Sequence, residues 1–414
     1  MDIQKLIEEC EKKAAPLFTQ IDAIAYKNQV KVLAAFQTHK VALRHFAPTT
    51  GYGYDDVGRD TLSGIFAQIV GAESAIVSPL IASGTHAITL MLFGILRPND
   101  TLLSVTGDVY DTLQGVITGQ GNGSLRDFGV SYQKIELKNG KPDMPAIEKA
   151  VRKYAPKVVF LQRSRGYSQR DALSIEEIEQ VCGRVKAIDP QITIAVDNCY
   201  GEFVCEKEPT QVGADLIAGS MIKNPGGGIA PTGGYIAGTA KAVEAVGYRL
   251  TTPSVGTEVG SYAADYRAFY QGLFMAPHVT AQALKGSVLF GAVFDALGYE
   301  TIPKSDAPLG DIIRSVRFHT AEELIAFCRA VQSVSPVDSH VVPYPWDMPG
   351  YDDQVIMAAG TFVQGASIEL SADSPIKAPY VAYLQGGLTY EHVKYAVHAC
   401  VQNIVKTHES NGGD

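Results

Sequence analysis

The chain has few of the features that mark secreted, membrane-spanning or nucleic-acid-binding proteins. Its six cysteines are scattered without a Cys-x-x-Cys pair, which argues against a zinc site or a disulfide framework and predicts a reduced, cytoplasmic protein. No apolar run reaches the length of a membrane span. The net charge of −9 argues against a nucleic-acid or anionic-membrane partner, because both need a basic face. The nine histidines show no metal-ligand spacing, so we predict no metal site.

The remaining composition is that of a large globular protein. The 414 residues are 46% hydrophobic and 19% charged, which is enough to bury a sizeable core in two or three domains. The N-terminus reads as an amphipathic helix and not as a signal peptide. The 40 glycines indicate many tight turns or close backbone approaches.

Hydrophobic periodicity divides the chain into four segments. We predict an N-terminal helical arm in residues 1–45, a large domain in 46–260, connecting helices in 261–300 and a smaller α+β domain in 301–414. Short apolar strands alternate with helices in the large domain, which is typical of an α/β fold with a mainly parallel sheet covered on both faces. These strands are predicted at residues 75–77, 101–105, 158–161, 192–196, 216–218 and 234–237. Ligands of such sheets bind at the carboxyl ends of the strands.

Two charged residues follow strands of this predicted sheet. Asp197 ends the apolar run Ile-Thr-Ile-Ala-Val, and Lys223 stands just before Asn-Pro-Gly-Gly-Gly. This pattern suits pyridoxal phosphate (PLP): the lysine amine forms a Schiff base with the aldehyde, and the carboxylate keeps the pyridine nitrogen protonated. We expect the glycines to let the backbone pass close to a bound group, and the cationic ring to lower the pKa of the lysine. The alternative is an ordinary solvated loop lysine.

Four further groups complete a candidate cofactor site. Ser83, Gly84 and Thr85 open a predicted helix whose free N–H groups suit a phosphate, although the serine is equally an ordinary N-cap. Tyr110 follows the next strand and is positioned to stack on a pyridine ring, or it is a packing tyrosine. His86 is a cofactor contact or a core histidine. The Ser220 hydroxyl is a further phosphate donor.

Three basic residues are candidates for the partner of a substrate carboxylate. Arg163 and Arg165 follow a predicted strand, and Lys377 lies in the smaller domain. Each is equally well explained as a surface charge.

Several segments together resemble a known group of enzymes. They are Gly51–Asp60, Ser83–Ala87, Val196–Phe203, the Lys223 segment and Tyr383–Thr389. The chain resembles the cystathionine β-lyase and methionine γ-lyase class of PLP enzymes, and within it the branch described as aluminium-resistance or methionine γ-lyase-like proteins. The resemblance covers about residues 20–405 and implies the aspartate-aminotransferase-like PLP-dependent transferase fold, fold type I.

The resemblance assigns roles to individual residues. It implies that Lys223 carries the cofactor as the Schiff-base lysine, with Asp197 on the pyridine nitrogen and Tyr110 stacked on the ring. It implies phosphate contacts from Gly84, Thr85 and Ser220. Tyr54 and Arg59 correspond to residues that reach the phosphate of a neighbouring subunit, so a homo-oligomer with its active site at a dimer interface is implied, with a tetramer as the expected size. The spacing of Tyr54 and Arg59 is wider than in the better-known lyases, and Ile222 replaces their usual threonine.

The predicted activity is therefore a PLP-dependent carbon–sulfur lyase acting on a sulfur amino acid. Cystathionine or cysteine β-elimination and methionine γ-elimination share their first steps, and the residues leave both open. An aminotransferase or aldolase-type PLP enzyme is an alternative on the same fold. A stress-linked protein that binds the cofactor without turnover is the non-enzymatic alternative.

Overall fold

A single long helix forms the N-terminal part of the protein. The computed structural model describes residues 1–348 and 353–411, and its first helix, α1, spans Ile3–Thr38. The carboxylate of Asp2 accepts the N–H of Lys5 and caps its first turn. The helix packs along α8 (Arg267–Ala296).

Seven strands form the large sheet, with helices on both faces. Its order is β1-β7-β6-β5-β4-β2-β3, in which β6, β5, β4, β2 and β3 are parallel and β7 runs antiparallel to both of its neighbours. The strands are β1 (Ser74–Ser78), β2 (Thr101–Ser104), β3 (Ser131–Lys134), β4 (Val158–Gln162), β5 (Thr193–Asp197), β6 (Leu216–Ser220) and β7 (Gly234–Gly238). The intervening helices are α2 (Val57–Val70), α3 (Gly84–Ile95), α4 (Asp111–Thr118), α5 (Met144–Tyr154), α6 (Ile175–Ile188) and α7 (Ala240–Leu250).

The central strands read as continuous apolar runs because both of their faces are covered. All five residues of β4 and of β6 are buried. One face of the sheet packs with α2, α5 and α6 in one core cluster, and the other packs with α3, α4 and α7 in a second. This is the doubly covered, mainly parallel sheet predicted from the sequence, and the predicted fold class is confirmed.

A second, antiparallel sheet follows α8. Its order is β10-β11-β12-β9-β8, and α9 and α10 pack on one of its faces. The elements are β8 (Glu300–Ile302), β9 (Ile313–Arg317), α9 (Ala321–Ser333), β10 (Val355–Ala358), β11 (Ser371–Pro375), β12 (Val381–Gln385) and α10 (Tyr390–Asn411).

The structure differs from the sequence prediction in two elements. The predicted pair of connecting helices in 261–300 is one helix, α8, which continues through Pro277. Its side chains are buried around most of its circumference, so tertiary packing outweighs the cost of the proline.

None of the helices in the described ranges combines the length and the apolar character needed to cross a bilayer.

The second difference lies just before β11. Residues 365–370 (Gly-Ala-Ser-Ile-Glu-Leu), which the sequence also predicts to be a strand of the smaller domain, form a loop. The carboxylate of Glu369 accepts the N–H groups of Phe362 and Val363 at 2.8 and 2.9 Å and so replaces the hydrogen bonds of a strand ladder. A side chain at Gly386 would collide with the carbonyl oxygens of Ser367 and Glu369, so this loop lies directly against the Gly386 backbone.

A glycine contact joins α8 to the large domain. A Cβ on Gly272 would lie 2.2 Å from the carbonyl oxygen of Gly226, which is backbone and can move only with its chain. The two segments therefore approach more closely than any side chain would permit.

We expect the change Gly272→Ala to lower the melting temperature. Alanine is favoured over glycine by about 1 kcal/mol in an open helix position, but here the added methyl group must push α8 away from Gly226. Gly183→Ala in α6 is the matched control, because nothing lies within 4 Å of its added Cβ, and it should leave the melting temperature unchanged or raise it. Differential scanning calorimetry on both proteins measures this, and a Gly272→Ala protein as stable as the control would contradict the close contact.

Candidate active site

Lys223 lies where β6 ends and the chain turns. The buried strand β6 is followed by Lys223 and a short 3₁₀ helix, Asn224–Gly226. The ammonium nitrogen of Lys223 lies 3.9 Å from the centroid of the Tyr200 ring, which is the geometry of a cation–π interaction. The amine is thus held against an aromatic face.

The glycines after Lys223 pack against the protein itself. A Cβ on Gly226 would lie 1.8 Å from the Met221 carbonyl oxygen, and one on Gly228 would lie 2.3 Å from the Leu388 side chain. Gly227 and Gly228 have φ of +55° and +72°, a conformation that favours glycine. Their close approach to a bound group stays a prediction; within the protein they let the lysine turn fit between α8 and the smaller domain.

Asp197 is the last residue of β5 and sits beside β6. Its side chain is buried, and Oδ1 accepts the N–H of Cys199 at 3.1 Å. Burial raises the pKa of this carboxyl, while the charge of Lys223 lowers it in part. Within the described residues Asp197 forms no ion pair with a basic side chain, so the carboxylate is available to a cationic ligand.

The first turn of α3 lies against the ends of β5 and β6. The Ser83 hydroxyl accepts the N–H of His86 at 3.0 Å, so this serine acts as the N-cap. A Cβ on Gly84 would lie 3.2 Å from the Cys199 sulfur and 3.4 Å from the Cβ of Ser220. The first N–H groups of a helix have no partner within it, and here they meet the same strand ends that carry Asp197 and Lys223.

Tyr110 connects this turn to the rest of the site. Its hydroxyl donates to Thr85 Oγ1 at 3.0 Å, and its N–H donates to Gln162 Oε1 at 3.1 Å. Burial, together with the negative charge of Asp197, raises the pKa of the phenol, so Tyr110 stays neutral. The imidazole of His86 accepts the Ala82 N–H through Nδ1 at 3.0 Å.

The pKa of the Lys223 amine is raised in the protein alone, and its predicted lowering beside a cationic ring stays a prediction. Burial by itself lowers the pKa, but the ionisable groups of Cys199, Tyr200, Asp197 and Tyr110, in their charged forms, raise it above its usual range. The protein's own residues therefore favour a protonated amine.

Sequence reasoning missed two side chains of this neighbourhood. Tyr200, which contacts Lys223, has φ of +71°, a conformation that no sequence pattern revealed. Glu202 is buried, accepts the Tyr235 hydroxyl at 2.6 Å, and has its pKa raised by burial to about 8. Both residues belong to the segment that follows Asp197. The position of Asp197 at the end of a strand was therefore the sequence signal that could have pointed to them.

Comparison with known proteins identifies the relatives of this chain. The model of the methionine gamma-lyase family matches residues 3–405. The uncharacterized protein YnbB of Bacillus subtilis is 51% identical over 408 residues, which is 98% of this chain and 97% of that protein. The chain belongs to the methionine gamma-lyase family.

Solved structures agree with this membership. A carbon–sulfur lyase involved in aluminium resistance from Clostridium novyi NT is 48% identical with a TM-score of 0.94, covering 97% of this chain and 96% of that one. A Listeria monocytogenes protein suggested to be a cystathionine beta-lyase involved in aluminium resistance is 52% identical with a TM-score of 0.95, covering 97% and 100%. This member of the methionine gamma-lyase family is therefore a PLP-dependent carbon–sulfur lyase of fold type I.

The residues around Lys223 fit the cofactor of the methionine gamma-lyase family. The turn at Gly84 presents helix N–H groups to a phosphate in a place where a larger side chain would crowd Cys199 and Ser220. Asp197 offers a buried carboxylate to a protonated ring nitrogen, and Lys223 offers its amine. Within the described ranges no group of three or more metal-ligating side chains converges.

Arg163 is held by partners within the protein. It is fully buried, donates to Asn198 Oδ1 at 2.8 Å and pairs with Glu208 at 3.5 Å. A side chain at Gly201 would collide with its guanidinium. Arg163 is therefore not the surface charge that was its alternative explanation, and its role in binding a substrate anion stays a prediction.

Arg165 and Lys377 also have partners within the protein. Arg165 is buried and donates to the carbonyl oxygens of Arg170, Ile302 and Ile313, so its guanidinium joins the two sheets. Lys377 pairs with Asp353 at 2.6 Å near the surface. A substrate role for these two residues stays a prediction.

Tyr54 lies just before α2, and Arg59 lies in the first turn of that helix. Tyr54 is 61% exposed. Arg59 is buried, donates to the carbonyl oxygens of Gly53 and Gly260, and pairs with Asp60. Arg59 borders a cavity of about 600 Å³ between α2 and β1, and neither Lys223 nor Asp197 lines this cavity.

We expect Arg163→Met to lower the free energy of unfolding by about 3–5 kcal/mol, because it leaves Glu208 buried without its cation. Arg184→Met is the control, since Arg184 pairs with Glu148 at the surface, where such pairs contribute only about 0–1 kcal/mol. Urea denaturation of the two proteins measures the difference. Equal stabilities of the two variants, together with a raised KM for Arg163→Met, would instead support a substrate role for Arg163.

Proposed function

We propose that this chain eliminates the sulfur-bearing group of a sulfur amino acid, with Lys223 as both the covalent anchor of the cofactor and the base. The observation that carries the proposal is the convergence of Lys223, Asp197, Tyr110 and the first turn of α3 at the carboxyl ends of parallel strands. The chain also belongs to a carbon–sulfur lyase family. The assignment of each residue's role below is part of the proposal.

The cofactor, when bound, accepts the electrons released at the substrate Cα. Asp197 would pair with the ring nitrogen and hold its proton, since its buried carboxylate forms no ion pair within the described residues. The N–H groups of Gly84 and Thr85 would hold the phosphate, with the Ser220 hydroxyl beside them. Tyr110, fixed by Thr85 and Gln162, would stack on the ring.

Lys223 moves the proton. Its amine accepts the Cα proton, which it can do only when unprotonated. The groups around it favour the protonated amine in the protein alone, and the positive charge of the cofactor would favour the unprotonated state. The Tyr200 ring, 3.9 Å from the amine, keeps Lys223 in place.

The carbon–sulfur bond then breaks, and the sulfur leaves with the electron pair as a thiolate. Loss from Cβ followed by hydrolysis gives pyruvate and ammonia, and loss from Cγ gives 2-oxobutyrate. We favour β-elimination, because the Listeria relative suggested to be a cystathionine beta-lyase is 52% identical. The L-methionine gamma-lyase of Pseudomonas putida is 26% identical over 47% of this chain.

We also propose a homo-oligomer in the cytoplasm, with Tyr54 and Arg59 directed to the site of a neighbouring subunit. Two exposed tyrosines, Tyr52 and Tyr54, support this, since their rings lie 5.6 Å apart on the surface near Arg59. Sedimentation of the wild type and of Tyr54→Ala tests the assembly, and a monomeric active enzyme would contradict it.

The first experiment is incubation with L-cystathionine, L-cysteine or L-methionine without any keto acid. Pyruvate from cystathionine or cysteine would establish β-elimination, and 2-oxobutyrate from methionine would establish γ-elimination. Turnover that requires a keto acid would indicate an aminotransferase instead.

We expect Lys223→Ala to lower kcat by at least about 10²–10⁴-fold, because it removes the base. Borohydride should fix the cofactor on the wild-type chain but not on this variant, with the label found at Lys223 by mass spectrometry. Lys241→Ala, at an exposed lysine of α7, is the control and should keep full activity. Full lyase turnover by Lys223→Ala would overturn the proposal.

A further inference from the structure

One face of the smaller sheet carries a carboxyl group that the proposed reaction does not use. Asp373 in β11 lies directly opposite Tyr383 in β12, and directly opposed residues of antiparallel strands share a face. That face meets the large domain, because Ile313, Val381 and Tyr383 form a cluster against Tyr200. Asp373 therefore lies on the side of the smaller sheet that is turned toward Tyr200.

Tyr200 connects this carboxyl group with Lys223. One face of its ring receives the Lys223 ammonium, and the negative charge of Asp373 contributes to the raised pKa of the Tyr200 phenol. The phenol is thus within electrostatic reach of both groups. Asp373 accordingly belongs to the wall that the smaller sheet contributes beside Lys223.

The partners of Asp373 leave part of its carboxyl group unsatisfied. Oδ1 is buried and has no hydrogen-bond partner within residues 1–348 and 353–411. Oδ2 accepts a long bond of 3.5 Å from Gln385, and the Tyr167 side chain also forms a hydrogen bond with the carboxyl group. No lysine, arginine or histidine in these ranges forms an ion pair with Asp373.

A buried carboxyl group in this situation favours a cationic partner. Burial raises the pKa of Asp373 to about 7, and an ammonium group in contact would stabilise the ionised form. An apolar group in the same place would leave a buried oxygen without a partner, which costs free energy. The chemistry therefore distinguishes a charged ligand from an alkyl one.

We propose that Asp373 binds an ammonium group at the far end of the substrate's sulfur arm and so selects thioether amino acids that carry this charge. The inference rests on the lyase function proposed above and deepens it. L-cystathionine carries such an ammonium group, whereas the sulfur of methionine carries only a methyl group. Gln385 and Tyr167 hold the carboxyl group in position for this contact.

Two substrates of nearly equal size test the proposal. S-(2-aminoethyl)-L-cysteine ends in an ammonium group, and S-propyl-L-cysteine replaces it with a methyl group. For the wild type we expect a higher kcat/KM on the aminoethyl compound. In Asp373→Asn this preference should fall by roughly 10- to 100-fold, the range for a hydrogen bond to a charged group, while kcat/KM on the propyl compound changes little. Asp306→Asn, at an exposed aspartate, is the control.

Each outcome decides the question. An equal loss on both substrates would make Asp373 a structural residue, and an unchanged preference would remove it from the substrate site; either overturns the inference and leaves the lyase function standing. Absence of turnover on every thioether would overturn the lyase proposal. Calorimetric titration of Lys223→Ala with the same two compounds measures binding and needs no turnover. Equal affinities of this variant for the two compounds would overturn the inference independently of the kinetic result.

Discussion

The contact between the lysine turn and α8 is the constraint on which the rest of the site depends. The backbones of Gly226 and Gly272 lie too close together for a Cβ on Gly272. The Leu388 side chain of the smaller domain packs against Gly228. Because the turn is held from two sides, Lys223 leaves β6 in one direction only, toward Tyr200. A small shift in the position of α8 would therefore move the Lys223 amine relative to the strand ends.

The candidate site brings a buried carboxyl group close to a lysine amine. Asp197 forms no ion pair within the described residues, although the charge of Lys223 lowers its pKa in part, and the groups near Lys223 raise the pKa of the amine. A cofactor with a protonated ring nitrogen would suit both groups, since its positive charge would stabilise ionised Asp197 and oppose protonation of Lys223. Asp373 in the smaller sheet is a further carboxyl group, and its buried Oδ1 has no hydrogen-bond partner in the described ranges.

The strand ends were readable from the sequence because buried parallel strands appear as apolar runs. Asp197 ends one such run and Lys223 follows another. Because β5 and β6 are neighbours, the charges of the two residues lie close enough to act on each other. Arg163 follows β4 in the same way, yet it is buried beneath the strand ends against Glu208. A strand-end position predicts nearness to the site, but the direction of the side chain depends on contacts that are distant in sequence.

The sequence by itself determined the fold class and the family, and it predicted Asp197 and Lys223 as the pair at the centre of the site, because these follow from local apolar patterns and short motifs. The tertiary structure decided what surrounds them. The single helix α8, the positive φ of Tyr200, the loop before β11 and the place of Asp373 opposite Tyr383 all depend on packing between segments far apart in the chain. Such long-range contacts set burial, and burial sets which charged groups lack a partner and can therefore bind a ligand.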